Sequence, residues 1–233
     1  MKKLLISFFA LALSVGGFAQ QNERSGKIEL NYVSNKELLD IIMLLPDSAF
    51  RYWWFDDIEV RKKWYNEIKS NDFWTAEDTT LFNLYFLQPN KLMFRVVDGN
   101  WAIYLYKTSD NSFIVITNEG VGDGNTINIF EVKDNKIVKI FSFEDVFGSY
   151  TEQLKFDNLS QACNQKLTDV DFEDYFWLFQ FSFSDETVEI NSSWLIDNKT
   201  EFEDCLKGNI IEYKFNPETK KFDIEKIYWK SKK

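Results

Sequence analysis

Apolar and polar residues alternate along much of the chain between Thr80 and Phe141. A period of two is typical of β-strands that bury one face. Short segments rich in Asn, Asp, Gly and Ser, which tolerate turn geometries, separate the alternating runs. Connections this short join antiparallel neighbours. The pattern therefore predicts an antiparallel meander of six strands with the sequences LFNLYFL, KLMFRVV, WAIYLYK, FIVITN, INIFEVK and KIVKIF.

Two helices are predicted before the meander. Ser34 and Glu37 have the spacing of a capping box, in which each side chain accepts a hydrogen bond from the backbone of the other. The helix that they begin is predicted to end at Pro46, which cannot continue it. Asp56 and Glu59 repeat the capping spacing. One face of this second helix carries Ile58, Arg61, Trp64, Tyr65 and Ile68.

Aromatic residues occupy every odd position from Tyr175 to Phe183, in the run DYFWLFQFSFSDETVEIN. Such a row is either an exposed platform for sugars or peptides, or the inner face of a sheet. Three of the five rings are Phe, which has no polar group to meet water and ligand together. The TVEIN segment that follows alternates as a half-buried partner strand would. We therefore predict that the row lies on the inner face of a β-hairpin.

The C-terminal part is predicted to hold a short helix, from Asn198 to Gly208, and a last hairpin formed by IIEYKF and KFDIEKI. Residues 80–141 and 174–229 look loosely alike, which either two similar halves or chance would explain. The predicted fold class is α+β, with N-terminal helices packed on an antiparallel β-meander, followed by a second strand-helix-hairpin unit. This unit is predicted to share or extend the meander sheet, within a single domain over 20–233.

The N-terminus has the features of an export signal. Lys2 and Lys3 precede an apolar run from Leu4 to Val15, and small residues then offer a cleavage site between Ala19 and Gln20. The apolar run is short for a membrane span, and no later segment approaches the required length. We expect residues 1–19 to be a signal peptide and the mature protein to be exported, with no stable membrane span. An uncleaved anchor is the alternative.

Composition excludes several classes of function. The formal net charge is −10, so the surface repels phosphate backbones, and we expect no nucleic-acid partner. Histidine is absent, which removes Ser-His-Asp and Cys-His nucleophilic machinery and every His-containing metal site. We expect no metal and no cofactor. Cys163 and Cys205 either form a disulfide, as an oxidising compartment favours, or remain two buried thiols.

Two clusters are candidates for binding. The aromatic segment FRYWWFDD is too dense in rings for all to point inward, so Tyr52, Trp53 and Trp54, flanked by Asp56 and Asp57, form a candidate contact patch. Alternatively, these rings cover the end of the sheet. The acidic run with Asp169, Asp171, Glu173 and Asp174 could hold a cation or serve glycoside hydrolysis, or it could be a solvated approach to the next strand.

The segment LLPDSAF, an Arg within a capped helix, and then NLYFLQPNKLMFRV together resemble a loose group of uncharacterised exported proteins of Gram-negative bacteria. Members share a lipid-free signal, a Leu-Pro-Asp-Ser-type turn and a strand-rich remainder. The resemblance implies a periplasmic or extracellular location in such a bacterium. It implies no activity.

We expect a non-catalytic exported binding or envelope accessory protein whose ligand is a protein or a glycan. One alternative is a carboxylate-dependent glycan hydrolase, which predicts two buried or cleft-facing acids about 5–10 Å apart, with raised pKa values. Another is an acidic inhibitor or immunity-type protein that masks a basic partner.

Overall fold

The computed structural model describes residues 29–50, 57–71, 74–75, 82–96, 98–122, 124–170 and 172–231. The predicted signal peptide and its cleavage site at Ala19 and Gln20 lie outside these ranges. No helix of the described residues is both long enough and apolar enough to cross a membrane.

The N-terminal part contains the two predicted helices. Strand β1 (Glu29–Leu30) pairs with β2 (Trp74–Thr75), and helices α1 (Lys36–Leu44) and α2 (Ile58–Asn71) lie between them, separated by a 3-10 turn at Asp47–Phe50. The predicted capping box at Ser34 is wrong. The N-cap is Asn35, without a side-chain bond, and the Ser34 N–H donates to Oδ1 of Asn31 in the preceding turn.

The meander is present as predicted. Six consecutive antiparallel strands pair in chain order, namely β3 (Phe82–Gln88), β4 (Lys91–Val96), β5 (Gly99–Lys107), β6 (Phe113–Val121), β7 (Gly124–Lys133) and β8 (Lys136–Phe141). Asp134 and Asn135 both have positive φ in the two-residue turn between β7 and β8. This conformation is the one that such hairpin turns require.

Helices and a second sheet follow. The helices are α3 (Phe143–Phe147), α4 (Tyr150–Leu154), α5 (Gln161–Val170), α6 (Phe172–Tyr175) and, later, α7 (Lys199–Phe202). Strands β9 (Gln180–Phe183), β10 (Thr187–Asn191), β11 (Ile210–Asn216) and β12 (Lys221–Tyr228) form a four-stranded antiparallel sheet in the order β12-β11-β10-β9. The C-terminal unit therefore forms a sheet of its own and does not extend the meander.

The aromatic run adopts two conformations, which corrects the prediction of one strand. Residues before Phe179 are helical, in α6 and a 3-10 turn at Phe176–Leu178, and the strand begins only at Gln180. Phe172, Phe176 and Phe179 recur at helical spacing and contact one another through their rings. The buried aromatic residues therefore follow a helical spacing up to Phe179 and a spacing of two residues from Phe179 to Phe183. Of the predicted row of odd positions, Phe179, Phe181 and Phe183 pack in the core, whereas Tyr175 and Trp177 are exposed.

The meander has both faces covered. Odd-numbered residues of β5, such as Trp101 and Leu105, pack with α1 and α2 in one hydrophobic cluster. Even-numbered residues, such as Tyr104 and Tyr106, pack with the four-stranded sheet in a second cluster. The Tyr104 ring stacks on Phe183 at 4.5 Å between centroids. The described residues thus form three layers, with helices α1 and α2 first, the meander in the middle, and the smaller sheet together with α3, α4 and α5 on the other side.

Specific bonds hold the layers together. The indole Nε1 of the fully buried Trp101 donates to the Ala49 carbonyl at 2.7 Å, and its ring stacks on Phe50. On the other face, Lys220 in the β11–β12 turn donates to Asp110 and Glu131 of the meander. A disulfide joins Cys163 on α5 to Cys205, with 5.4 Å between the Cα atoms. It is the first of the two states that the sequence leaves open.

Candidate functional site

The candidate aromatic patch lies mostly outside the described residues, which include only Asp57 of its five members. Tyr52, Trp53, Trp54 and Asp56 belong to the segment 51–56 that is not described. Asp57 is exposed and starts α2. Its Oδ1 accepts a hydrogen bond from the Glu59 N–H at 2.8 Å, and its carbonyl accepts one from the Arg61 N–H at 3.1 Å. The carboxylate at 57 therefore has a capping role.

The acidic candidates are divided between two helices. Asp169 lies on α5, where its Oδ1 accepts from Gln165 at 3.2 Å, and Asp174 lies on α6. Asp171 and the side chain of Glu173 are outside the described part. No group of three or more Asp, Glu, Cys or His suited to hold a metal ion occurs among the described residues. The possible cation site stays a prediction.

A cleft of about 560 Å³ opens where the ends of both sheets meet the start of α1. Sequence reasoning did not find it, because its lining comes from six separate segments. Its apolar lining includes the buried Leu105 and Tyr106 and the half-buried Phe113 and Phe215. The lining also includes two prolines, Pro89 in the β3–β4 turn and Pro217 in the β11–β12 turn.

Charged residues of both signs surround the mouth of the cleft. The charged members of its lining, all exposed, are Glu37, Lys107, Asp185, Glu186 and Lys214. Asp185 accepts from Lys91, whose Nζ lies 3.0 Å from Oδ1. This hydrogen bond and the charge of Lys91 hold the pKa of Asp185 below its usual range, although partial burial opposes the shift. Asp185 therefore stays ionised well into the acidic range.

Hydrogen bonds fix the walls of the cleft. The Tyr106 hydroxyl donates to the Ser184 carbonyl at 3.1 Å, which ties β5 to the β9–β10 turn. The Phe215 N–H donates to the Glu186 carbonyl at 2.8 Å, which ties β11 to the same turn. Burial raises the pKa of Tyr106, so its hydroxyl remains a donor at physiological pH. The cleft is consequently built from rigid elements of both sheets.

A polar network beside the cleft, centred on Asp110, contains a second group of charged residues. Asp110 accepts hydrogen bonds from Thr108, Lys133, Lys220 and Ser112, at 2.7 to 2.9 Å. These donors hold the pKa of Asp110 far below its usual range. Because every donor comes from a turn or strand end of the two sheets, the network joins the sheets and has a structural role.

An apolar interior with a mouth of both charges suits a ligand that buries an apolar group and keeps charged or polar groups at the entrance. An acid catalyst would instead need a carboxyl with a raised pKa. Among the described residues, the carboxyls with a displaced pKa (Asp40, Asp110, Asp145 and Asp185) are all lowered.

Comparison with known proteins gives little further information. No protein-family model matches the chain, and no curated protein is significantly similar to it. The structure is similar to that of a domain of an uncharacterized protein from Porphyromonas gingivalis W83. The TM-score is 0.49 and the sequence identity is 13%, over 81% of this chain and 98% of that chain. A similarity of this size carries no argument about function.

Proposed function

We propose that the protein is an exported, non-catalytic binding or envelope accessory protein, and that its cleft binds a segment of a protein ligand. The observation that carries the proposal is the cleft itself, with aromatic residues in the interior and ionised groups of both signs at the mouth. A protein segment has this combination of properties, since an apolar side chain can enter while its backbone and charged neighbours stay at the entrance.

The cleft is preformed, which supports binding over a purely structural role. Its walls are braced by the Tyr106 and Phe215 hydrogen bonds to the β9–β10 turn. A rigid site avoids the entropic cost of ordering loops when a ligand binds. The N-terminal sequence with Lys2, Lys3 and the small residues before Gln20 supports export of this binding protein.

The absence of histidine from the sequence favours a non-catalytic role. A glycan hydrolase would rely on a pair of carboxyls, one of which stays protonated at working pH. At the cleft, Lys91 has the opposite effect, because it favours the ionised form of Asp185. We therefore place binding ahead of hydrolysis for this site.

The experiment that tests the proposal is site-specific crosslinking in a Gram-negative host envelope. Lys107, exposed in the lining of the cleft, is replaced by the photoreactive residue p-benzoylphenylalanine. The matched control places the same residue at Lys136, an exposed lysine of β8 outside the cleft. We expect a discrete crosslinked protein from position 107 and none from position 136.

A charge variant then distinguishes specific binding at the cleft from non-specific association. Lys107→Glu should weaken association with the crosslinked partner by about tenfold and alter its salt dependence, as rim charges do. Lys136→Glu should leave both unchanged. The proposal is wrong if the two positions give the same crosslinks or if position 107 gives none.

A further inference from the structure

Trp177 is an unusual surface residue of the described chain, because half of this large aromatic side chain is exposed (50%). It lies in the 3-10 turn that interrupts the aromatic run, before β9. Phe176 packs into the core beside it, and Phe179 is fully buried. The turn therefore presents one ring outward while its neighbours are anchored.

The indole is held in one orientation. Its Nε1 donates to the Asp174 carbonyl at 2.8 Å, so its polar edge is already satisfied within the turn. Its benzo ring lies directly against the backbone of Gly124 at the start of β7. A Cβ added to Gly124 would be 2.5 Å from Cε3 and 2.9 Å from Cζ3 of the indole. Glycine at 124 thus leaves the space that the ring occupies.

The turn that carries the indole is itself fixed to the meander. Asn125, next to Gly124, donates through Nδ2 to the Phe179 carbonyl at 2.9 Å and to the Trp177 carbonyl at 3.4 Å. These bonds join β7 to both sides of the exposed ring. A solvent-exposed tryptophan with a fixed position has already lost the side-chain entropy that binding would otherwise cost.

We propose that the exposed indole surface of Trp177, the stacking surface, binds a sugar ring of a neutral glycan. A pyranose ring has an apolar face of C–H groups surrounded by hydroxyls, so it fits a single flat aromatic surface with polar surroundings. The exposed residues that flank the turn in sequence are Asp174 and the aromatic but hydroxyl-bearing Tyr175 before it, and Gln180 and Ser182 after it. Their hydrogen-bonding groups suit hydroxyls.

Other occupants fit less well. A protein partner needs about 800 Å² of its own surface buried in a stable interface, whereas the two half-exposed rings of Trp177 and Tyr175 offer a small apolar area. Anionic glycans are disfavoured by the acidic chain, whose formal net charge is −10. The stacking surface is built on β7 and the turn before β9, and it includes no residue of the cleft. The proposal thus goes beyond the proposed function and does not depend on it.

The test starts with an array of neutral hexose and N-acetylhexosamine oligosaccharides, probed with the full mature protein. The affinity for the strongest array member is then measured by titration calorimetry for the wild type and four variants, one of which is Trp177→Tyr. Trp177→Ala removes the stacking surface. Gly124→Ala keeps the indole but displaces it, because the added Cβ occupies the position of its benzo ring. Tyr85→Ala, at another exposed aromatic residue (66%), is the matched control.

We expect Trp177→Ala to weaken binding about tenfold or more, as loss of a central aromatic anchor does. Gly124→Ala should weaken it by a smaller factor, and Tyr85→Ala should leave it unchanged. Thermal unfolding of each variant shows whether the fold is retained, and Trp177→Tyr, which keeps a flat ring, should bind better than Trp177→Ala. The proposal is overturned if no neutral glycan binds, if binding survives Trp177→Ala, or if only cationic peptides compete at this surface.

Discussion

Arg61 is the residue on which the packing of the N-terminal helices depends most directly. Its side chain is 1% exposed, and its guanidinium donates to the Leu45 carbonyl at 2.9 Å and to the Asp47 carboxylate. The guanidinium also lies over the Phe50 ring, 4.5 Å from the centroid. Arg61 therefore connects α2 to the turn that follows α1 through several groups at once.

We predict that Arg61→Ala lowers the free energy of unfolding by about 3 kcal/mol, since it leaves a buried carbonyl and a stacked ring without their partner. Asp47→Ala should lower the free energy of unfolding by less than about 1 kcal/mol. The Asp47 side chain is 69% exposed, so water can take the place of its carboxylate as hydrogen-bond partner of Arg61. Urea denaturation of both variants measures the difference. Equal losses would mean that the ion pair, and not the buried guanidinium, holds the turn.

The same residue links two features of the sequence in physical terms. The turn LLPDSAF and the arginine of the next helix form one structural unit, because Arg61 bonds to Leu45 and Asp47 within that turn. The sequence predicted that Arg61 lies on the same helix face as Trp64 and Ile68, which are buried with it. It could not predict the partners, since a residue pattern does not specify which backbone carbonyls lie opposite.

At the scale of elements, each edge strand of the two larger sheets is either interrupted by a bulge or very short. Register shifts place an extra residue in β3 at Tyr85, in β8 at Val138 and in β12 at Glu225. The remaining edge strand, β9, is only four residues long. Bulges and short strands discourage pairing with another chain. Strand β8 also carries two exposed lysines, Lys136 and Lys139, beside the exposed Val138 and Ile140.

We predict that the double variant Lys136→Thr/Lys139→Thr associates edge to edge. Removing both charges leaves an apolar β-branched edge, which is a template for strand pairing. The mean mass in light scattering should roughly double relative to the wild type at equal concentration. Lys107→Thr, in an internal strand of the same sheet, is the control and should not change the mass. An unchanged mass for the double variant would assign protection of this edge to the bulge alone.

The elements were also where the sequence was most informative. Six strands of the meander followed from a period of two and from turn residues such as Asp134 and Asn135. The aromatic run was interpreted wrongly because Phe172, Phe176 and Phe179 satisfy a helical period while Phe179, Phe181 and Phe183 satisfy a period of two. Where two periods overlap in one run, local pattern cannot decide, and tertiary packing does.

At the scale of the whole molecule, the disulfide closes a loop that contains β9, β10 and the stacking surface. Cys163 and Cys205 are separated by 42 residues. Closing a loop of this size stabilises the folded state by about 3–4 kcal/mol, because the unfolded chain loses conformational freedom. Both cysteines are buried, so the cross-link lies within the second hydrophobic cluster.

We predict that the double variant Cys163→Ala/Cys205→Ala loses about 3–4 kcal/mol of unfolding free energy relative to the oxidised protein. Reductant should destabilise the wild type in denaturant titrations and have no further effect on the double variant. If the double variant unfolds at the same denaturant concentration as the oxidised wild type, the bridge contributes nothing to stability.

Neither candidate surface could be recognised from the sequence at this scale. The cleft combines residues from Glu37 to Pro217, and their proximity results from the stacking of three layers. Trp177 was assigned to the core because it occupies an odd position of the run. The signal that would have placed it outward is the helical spacing of Phe172, Phe176 and Phe179, which leaves position 177 off their shared face. The contact with Gly124 arises only in the folded sheet.

The three-layer arrangement has a consequence for the order in which the protein can be made. Ribosomes deliver α1 and α2 first, but the surface that covers their apolar residues includes Phe130 and Val132 of β7. Until that part of the chain emerges, Leu38, Leu39 and Ile42 have no complete surface on which to dock. The apolar face of the two helices is therefore covered completely only after β7 has been made, while the smaller sheet, made last, packs on a meander whose strands are already synthesised.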